Sequence, residues 1–149
     1  MRSATVLRGL LVAWLVSLAA VCPATASARD GSSILRAMNS VRARHHLPAL
    51  HASRALSHAA SAHSSQMARS GLMSHGAFAQ RIGHYVDSHR VGETLAWASR
   101  CSGRTIVRMW LRSAPHRHIM LMRGFRRAGV GISRASHFCF VTADFASAR

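Results

Sequence analysis

Ala128–Ser133 reads AGVGIS and Phe138–Phe145 reads FCFVTADF. Both runs are short, apolar and rich in β-branched or aromatic residues. Arg134, Ala135, Ser136 and His137 between them supply polar turn chemistry, so the two runs predict a hairpin. Upstream of it the period changes. Ile34, Met38, Val41 and His45 recur at the spacing of one helical face, with Ser32 or Ser33 as the expected cap. Leu47-Pro48-Ala49-Leu50 stops that helix. Ser53 caps a second, striped by Leu56, Ala59, Ala60, Ala62, His63 and Met67 and ended at Gly71. Phe78 to Tyr85 suits a short helix. Arg104 to Arg112 suits a long one, with Ile106, Val107, Trp110 and Leu111 inward, and Pro115 opens another turn. Helices first and a terminal antiparallel pair last give an α+β layered domain.

The chain has 149 residues, which suits one domain. Its formal charge is +16, from 20 basic residues against four acids, and every basic residue is Arg. Lysine chemistry is therefore excluded: no P-loop lysine, no Schiff base. Asp30, Asp87, Glu93 and Asp144 are too few for an EF-hand or a di-iron centre. The arginines are spread along the chain without interleaved aromatics, so specific nucleic-acid recognition is not expected.

Arg2 and Arg8, then an apolar run from Gly9 to Val21, then Ala24-Thr25-Ala26 and Ala26-Ser27-Ala28 read as a secretory signal. The expected division is a signal peptide over residues 1–28, cut after Ala26 or Ala28, and one domain over 29–149. The apolar run is shorter than the ~20 residues that span a bilayer, so no transmembrane segment is expected in the mature chain. Export predicts a secreted, extracellular protein. It leaves Cys101 and Cys139, and two cysteines in an oxidising compartment predict a disulfide.

The order of several short motifs resembles a family. Met38-Asn39-Ser40-Val41-Arg42, Leu47-Pro48-Ala49-Leu50, Leu56 with Ala59 and Ala60, His63-Ser64, Met67 and Ser74-His75 are similar to the first half of the CAP superfamily (SCP-like; cysteine-rich secretory, antigen 5, pathogenesis-related). Gly92-Glu93-Thr94, Trp110, Ser113, Pro115-His116-Arg117, Phe125-Arg126-Arg127, Gly129-Val130-Gly131 and Thr142-Ala143-Asp144-Phe145 resemble the second half of its bacterial branch. The likeness runs from Ile34 to Phe145. It implies an α-β-α sandwich, a small antiparallel sheet between helical layers, with a central cleft. The family lines that cleft with two His and two Glu, and some members bind a divalent metal there. His75, Glu93 and His116 match three of the four positions. The second Glu falls near Ser113 and is absent, and Thr94 stands for the usual Asn.

Three functions follow as expectations. The first is a secreted binding module whose cleft takes a small or lipid-like ligand, without catalysis. The second is a hydrolase in which Glu93 or a metal-held water acts beside His75 or His116. Two imidazoles and one carboxylate could hold zinc, with His75, Glu93 and His116 as ligands; without a metal they would form a hydrogen-bonded network. His63 is expected in the core or cleft wall, and His118 is the alternative to His116. The third is a cationic protein adhering to anionic cell-envelope surfaces.

Overall fold

A computed structural model describes residues 24–148, with side chains from residue 29. Most of the expected signal peptide lies outside the described residues. The chain runs α1 (Ala24–Arg44), β1 (His51–Ala52), α2 (Arg54–Ser70), α3 (Phe78–Gly83), β2 (Val91–Ala98), α4 (Gly103–Arg112), α5 (Ala114–Leu121), β3 (Phe125–Ala135) and β4 (Phe138–Ser147). The strands form one sheet in the order β1-β3-β4-β2. Three are antiparallel, and β1 joins β3 in parallel through His51 and Ala52. The sheet is therefore mixed at one edge, where an antiparallel sheet was expected.

Alternation along the strands builds the layers. Ala128, Ile132, Val141, Ala143 and Phe145 join Ile34, Met38, Val41, Ile106, Val107 and Trp110 in the main core, under α1 and α4. Residues of the opposite parity face α2 and α3: Leu95 and Phe140 pack on Met67, and Ala146 packs on Leu56, Ala59 and Ile82. Gly129 and Gly131 let α2 lie directly on β3. A Cβ at Gly129 would stand 2.0 Å from the Ser57 nitrogen, and one at Gly131 would stand 2.2 Å from the Ala60 carbonyl carbon.

Local chemistry explains the boundaries. Ser53 caps α2 by accepting from the Leu56 N–H, and Gly71 ends it with φ 69°. Ser102 caps α4 in the same way through Thr105. Ser32 and Ser33 do not cap α1. The helix begins upstream of them, and their hydroxyls donate to the Arg29 and Asp30 carbonyls inside it. Ala62 is exposed and Ser64 takes the inward position on α2, donating to the Gly131 carbonyl. The hairpin turn is two residues, Ser136 and His137, because β3 runs on to Ala135; Ser136 takes φ 52°.

Two side chains of the Met38–Arg42 motif fasten the loop after α1. Asn39 donates to the Leu50 carbonyl and accepts from its N–H, at 2.9 and 2.8 Å. Arg42 is fully buried and donates to the carbonyls of Pro48, Met120, Met122 and Phe125. One guanidinium thus ties α1 to the end of α5 and the start of β3. Cys101 and Cys139 are bonded, with their Cα atoms 6.2 Å apart. Among the described residues no helix is long and apolar enough to cross a membrane.

Candidate functional site

Glu93 is the third residue of β2, on its α2-facing side, and is 6% exposed. Three basic side chains converge on it. His75, from the loop after α2, donates from Nδ1 to Oε1 at 2.7 Å. Arg81, on α3, donates to Oε2. His63, inward on α2, holds its Nε2 3.9 Å from the same oxygen and donates it to the Ser74 carbonyl at 2.8 Å. Ser74 is thereby anchored, and His75 beside it is aimed at Glu93. His63 is buried in the cleft wall, as its place on the helical stripe predicts.

His116, near the start of α5, faces His75 with ring centroids 6.5 Å apart and planes at 43°. The sequence-selected trio therefore meets at one place: Glu93 buried, His116 half-buried and His75 exposed at the mouth. His118 is exposed. Burial, aided by the charge of His75, pushes the His116 imidazole below its usual range.

Two residues of the site were not selected from the sequence. Arg81 had no signal, being one of 20 basic residues. Asp144 did leave one, since a carboxylate inside the run FCFVTADF must be buried. It pairs in register with Glu93 across β2 and β4, is fully buried, and its Oδ1 lies 4.0 Å from Arg81 Nη2. Both Asp144 oxygens, His63 Nδ1, and Arg81 Nε and Nη1 have no hydrogen-bond partner among the described residues. Burial first, and the like charge of Glu93 second, push the Asp144 carboxyl up to about 8, against the opposing pull of Arg81. So the second carboxylate of the site comes from β4, whereas the resemblance put it at Ser113.

This arrangement limits the chemistry. Both Glu93 oxygens are engaged, one by an imidazole and one by a guanidinium. The carboxylate fixes the orientation of His75, with a proton on Nδ1 facing Glu93. Among the described residues no three His, Cys, Asp or Glu side chains are arranged to hold a metal ion. The donors left for a cation are the two imidazoles, with Glu93 behind one of them.

The family model for CAP, the cysteine-rich secretory protein family, matches residues 35–145. A comparison with curated proteins returns no match. Among solved structures, an extracellular protein containing an SCP domain from Bacillus anthracis superposes with a TM-score of 0.75 at 26% identity, over 82% of this chain and 41% of its own. An outer surface protein from Borrelia burgdorferi gives a TM-score of 0.74 at 18% identity, over 81% of this chain and 94% of its own. A cysteine-rich secretory protein from Staphylococcus aureus gives 0.67 at 18%, over 82% of this chain and 40% of its own. The chain thus spans less than half the length of two of these three. With the layered sandwich, the Glu93-centred site and a family match over most of its length, this chain belongs to CAP, the cysteine-rich secretory protein family.

Proposed function

We propose that this chain is an exported, non-catalytic binding domain that takes an anionic amphiphile, such as a fatty acid, in the groove between α1 and α4. The groove carries the reading. It has a volume of about 440 Å³ and is lined by Ala37, Val41, Val107 and Leu111 together with Arg44, Arg104 and Arg108. That volume falls within the range of small-molecule sites. Apolar side chains suit a hydrocarbon tail, and the three arginines, which form no ion pair among the described residues, suit a carboxylate or phosphate head.

Absence of catalysis is supported by Glu93, whose oxygens are held by His75 and Arg81. Export is supported by the Ala24–Ala28 cleavage signals, by the disulfide and by relatives described as extracellular, outer-surface or secretory. The test is titration with a fluorescent fatty acid, competed by unlabelled palmitate. Saturable binding should weaken about tenfold or more when Arg104→Glu and Arg108→Glu reverse the rim charge. Binding indifferent to that reversal would move the ligand elsewhere, and no binding of any anionic amphiphile would end the proposal.

A divalent cation such as zinc is a second ligand of the same domain, favoured by the free Nε2 of His75 opposite His116. These two imidazoles would hold it, Glu93 would fix the tautomer of His75, and zinc would polarise a bound water. Zinc calorimetry at pH 7.5 should show heat that His75→Ala abolishes; equal heat from that variant would end this reading.

A further inference from the structure

Six large apolar side chains are exposed among the described residues, and two of them, Trp97 and Phe138, meet on the α2-facing side of the sheet. Trp97 is the last residue but one of β2 and is 49% exposed; Phe138 begins β4 and is 39% exposed. Their rings touch, with centroids 4.6 Å apart, and Trp97 stands on the buried ring of Phe140 at 6.4 Å. Leu72 and Met73, 70% and 52% exposed, lie in the loop after α2. That loop leaves one turn beyond Met67, which packs on Leu95 and Phe140, and returns to Glu93 at His75. It therefore passes along the same face of β2 that carries Leu95 and Trp97.

The surface is rigid as well as apolar. Trp97 and Phe140 are register partners, and the Cys101–Cys139 bond ties the chain after β2 to β4 between Phe138 and Phe140. Arginines flank it. Arg69 in the last turn of α2 and Arg100 three residues after Trp97 are both exposed, and neither forms an ion pair among the described residues. Of the four acids, Glu93 and Asp144 are buried, and Asp30 is paired at 2.7 Å with Arg134, the register partner of Cys139, at this end of the sheet but on its opposite face. Asp87 precedes β2, whose rise puts Trp97 about 20 Å beyond Val91.

We propose that this face docks on an anionic lipid bilayer, with Trp97, Phe138, Leu72 and Met73 entering the interfacial layer and Arg69 and Arg100 meeting the head groups. Tryptophan, with an apolar body and a polar N–H, favours that depth, and apolar insertion combined with cationic attraction is how peripheral proteins hold a membrane surface. An apolar cluster flanked by two arginines, with Asp30 already paired to Arg134 on the opposite face, is complementary to such a surface. The proposal is independent of the α1–α4 groove, which lies across the sheet.

The full chain carrying Trp14→Phe emits from Trp97 and the buried Trp110, and subtracting the emission of a Trp14→Phe/Trp97→Phe protein isolates Trp97. With vesicles of phosphatidylglycerol and phosphatidylcholine, Trp97 emission should shift to the blue. Brominated acyl chains should quench it about twofold, and vesicles of phosphatidylcholine alone should not. Trp97→Ser/Phe138→Ser should weaken binding about tenfold, and Arg69→Ser/Arg100→Ser should reduce the quenching. The quenching is read on protein that keeps Trp97, so it stands even if the double aromatic variant misfolds. Vesicle binding without quenching of Trp97 overturns the proposal. So does a dimer that dissociates in Trp97→Ser/Phe138→Ser, which would assign the face to a second copy. Retention on cell-wall polysaccharide, lost in the same variant while vesicles are ignored, overturns it equally.

Discussion

Replacing Arg42 by Met tests what holds the two ends of the fold together. Met keeps much of the apolar stem and the volume, so the change isolates the guanidinium. In the native protein that group is fully buried with no carboxylate partner, and it donates to the Pro48, Met120, Met122 and Phe125 carbonyls at 2.9, 2.8, 3.2 and 3.3 Å. Burial, with the nearby Arg126, pulls its pKa below the ordinary Arg value. Two effects compete. Taking a cation out of water costs several kcal/mol, and its removal recovers that cost. The four carbonyls remain, however. Phe125 keeps a donor in Arg126 Nη1 at 3.0 Å, but the Met120 oxygen then sits buried without one, at about 1–3 kcal/mol, and the half-buried Pro48 and Met122 oxygens lose theirs. Buried ion pairs can be exchanged for apolar groups because both partners leave together; here only one can leave. The end of α5 also loses a cation from its carbonyl terminus. The net expectation is a loss of about 3 kcal/mol, with a melting temperature lower by about 10 °C for a domain of this size. Urea unfolding followed by far-UV circular dichroism, with the disulfide intact, measures it. Arg42→Lys should fall between, since an ammonium keeps the charge but cannot span four carbonyls. A variant Arg42→Met within 0.5 kcal/mol of the native protein, or more stable, would refute the reasoning, because desolvation of the cation would then outweigh the carbonyls.

Gly131→Ala places a methyl 2.2 Å from the backbone of Ala60 and Ser61, so α2 must lift from β3; a loss of about 3 kcal/mol or failure to accumulate as folded protein is expected, read from urea midpoints and soluble yield. Cys101→Ser with Cys139→Ser opens a loop of 38 positions and should lower stability by about 4 kcal/mol in the same assay. The Asp144 carboxyl, raised to about 8 by burial and Glu93, binds its proton more tightly folded than unfolded. The stability it contributes is thus present at low pH and lost as pH rises toward 8. Between pH 7 and 9 urea midpoints should fall with pH more steeply in the native protein than in Asp144→Asn; identical profiles would remove the buried-proton argument.

How much of this was legible beforehand depended on whether a signal was local. Caps, helical stripes and the apolar run of β4 are written within a few residues, so Ser53, Gly71 and the hairpin could be read directly. Strand β1 could not. His51 and Ala52 are two residues whose extended form exists only because Arg127 and Ala128 offer a parallel edge. The start of α1 escaped for another reason: Ser32 and Ser33 look like caps, yet serine hydroxyls also bond back to carbonyls within a helix, and sequence does not separate the two uses.

The site divides along the same line. His75, Glu93 and His116 were found through the order of family motifs, and they do meet. Arg81 and Asp144 owe their roles to register. A shift of one residue between β2 and β4 would turn Asp144 to the α1 side and leave Glu93 without a second carboxyl beside it. Register also decides what Glu93 is for. A carboxylate facing an open cleft would be a plausible base, whereas one clasped between His75 and Arg81, above a second carboxyl that burial keeps protonated toward pH 8, orients an imidazole and balances charge. The same physics separates the three surfaces. The polar site sits where α2 and α3 meet β2, the arginine-rimmed groove lies across the sheet between α1 and α4, and the aromatic face lies at the far end of β2. Because the three share no side chain, rim-charge reversal at Arg104 and Arg108, truncation of Trp97 and Phe138, and removal of His75 should each silence one binding activity and leave the other two unchanged. If reversing Arg104 and Arg108 also abolished Trp97 quenching, the two cationic regions would act as one long-range field rather than as separate sites.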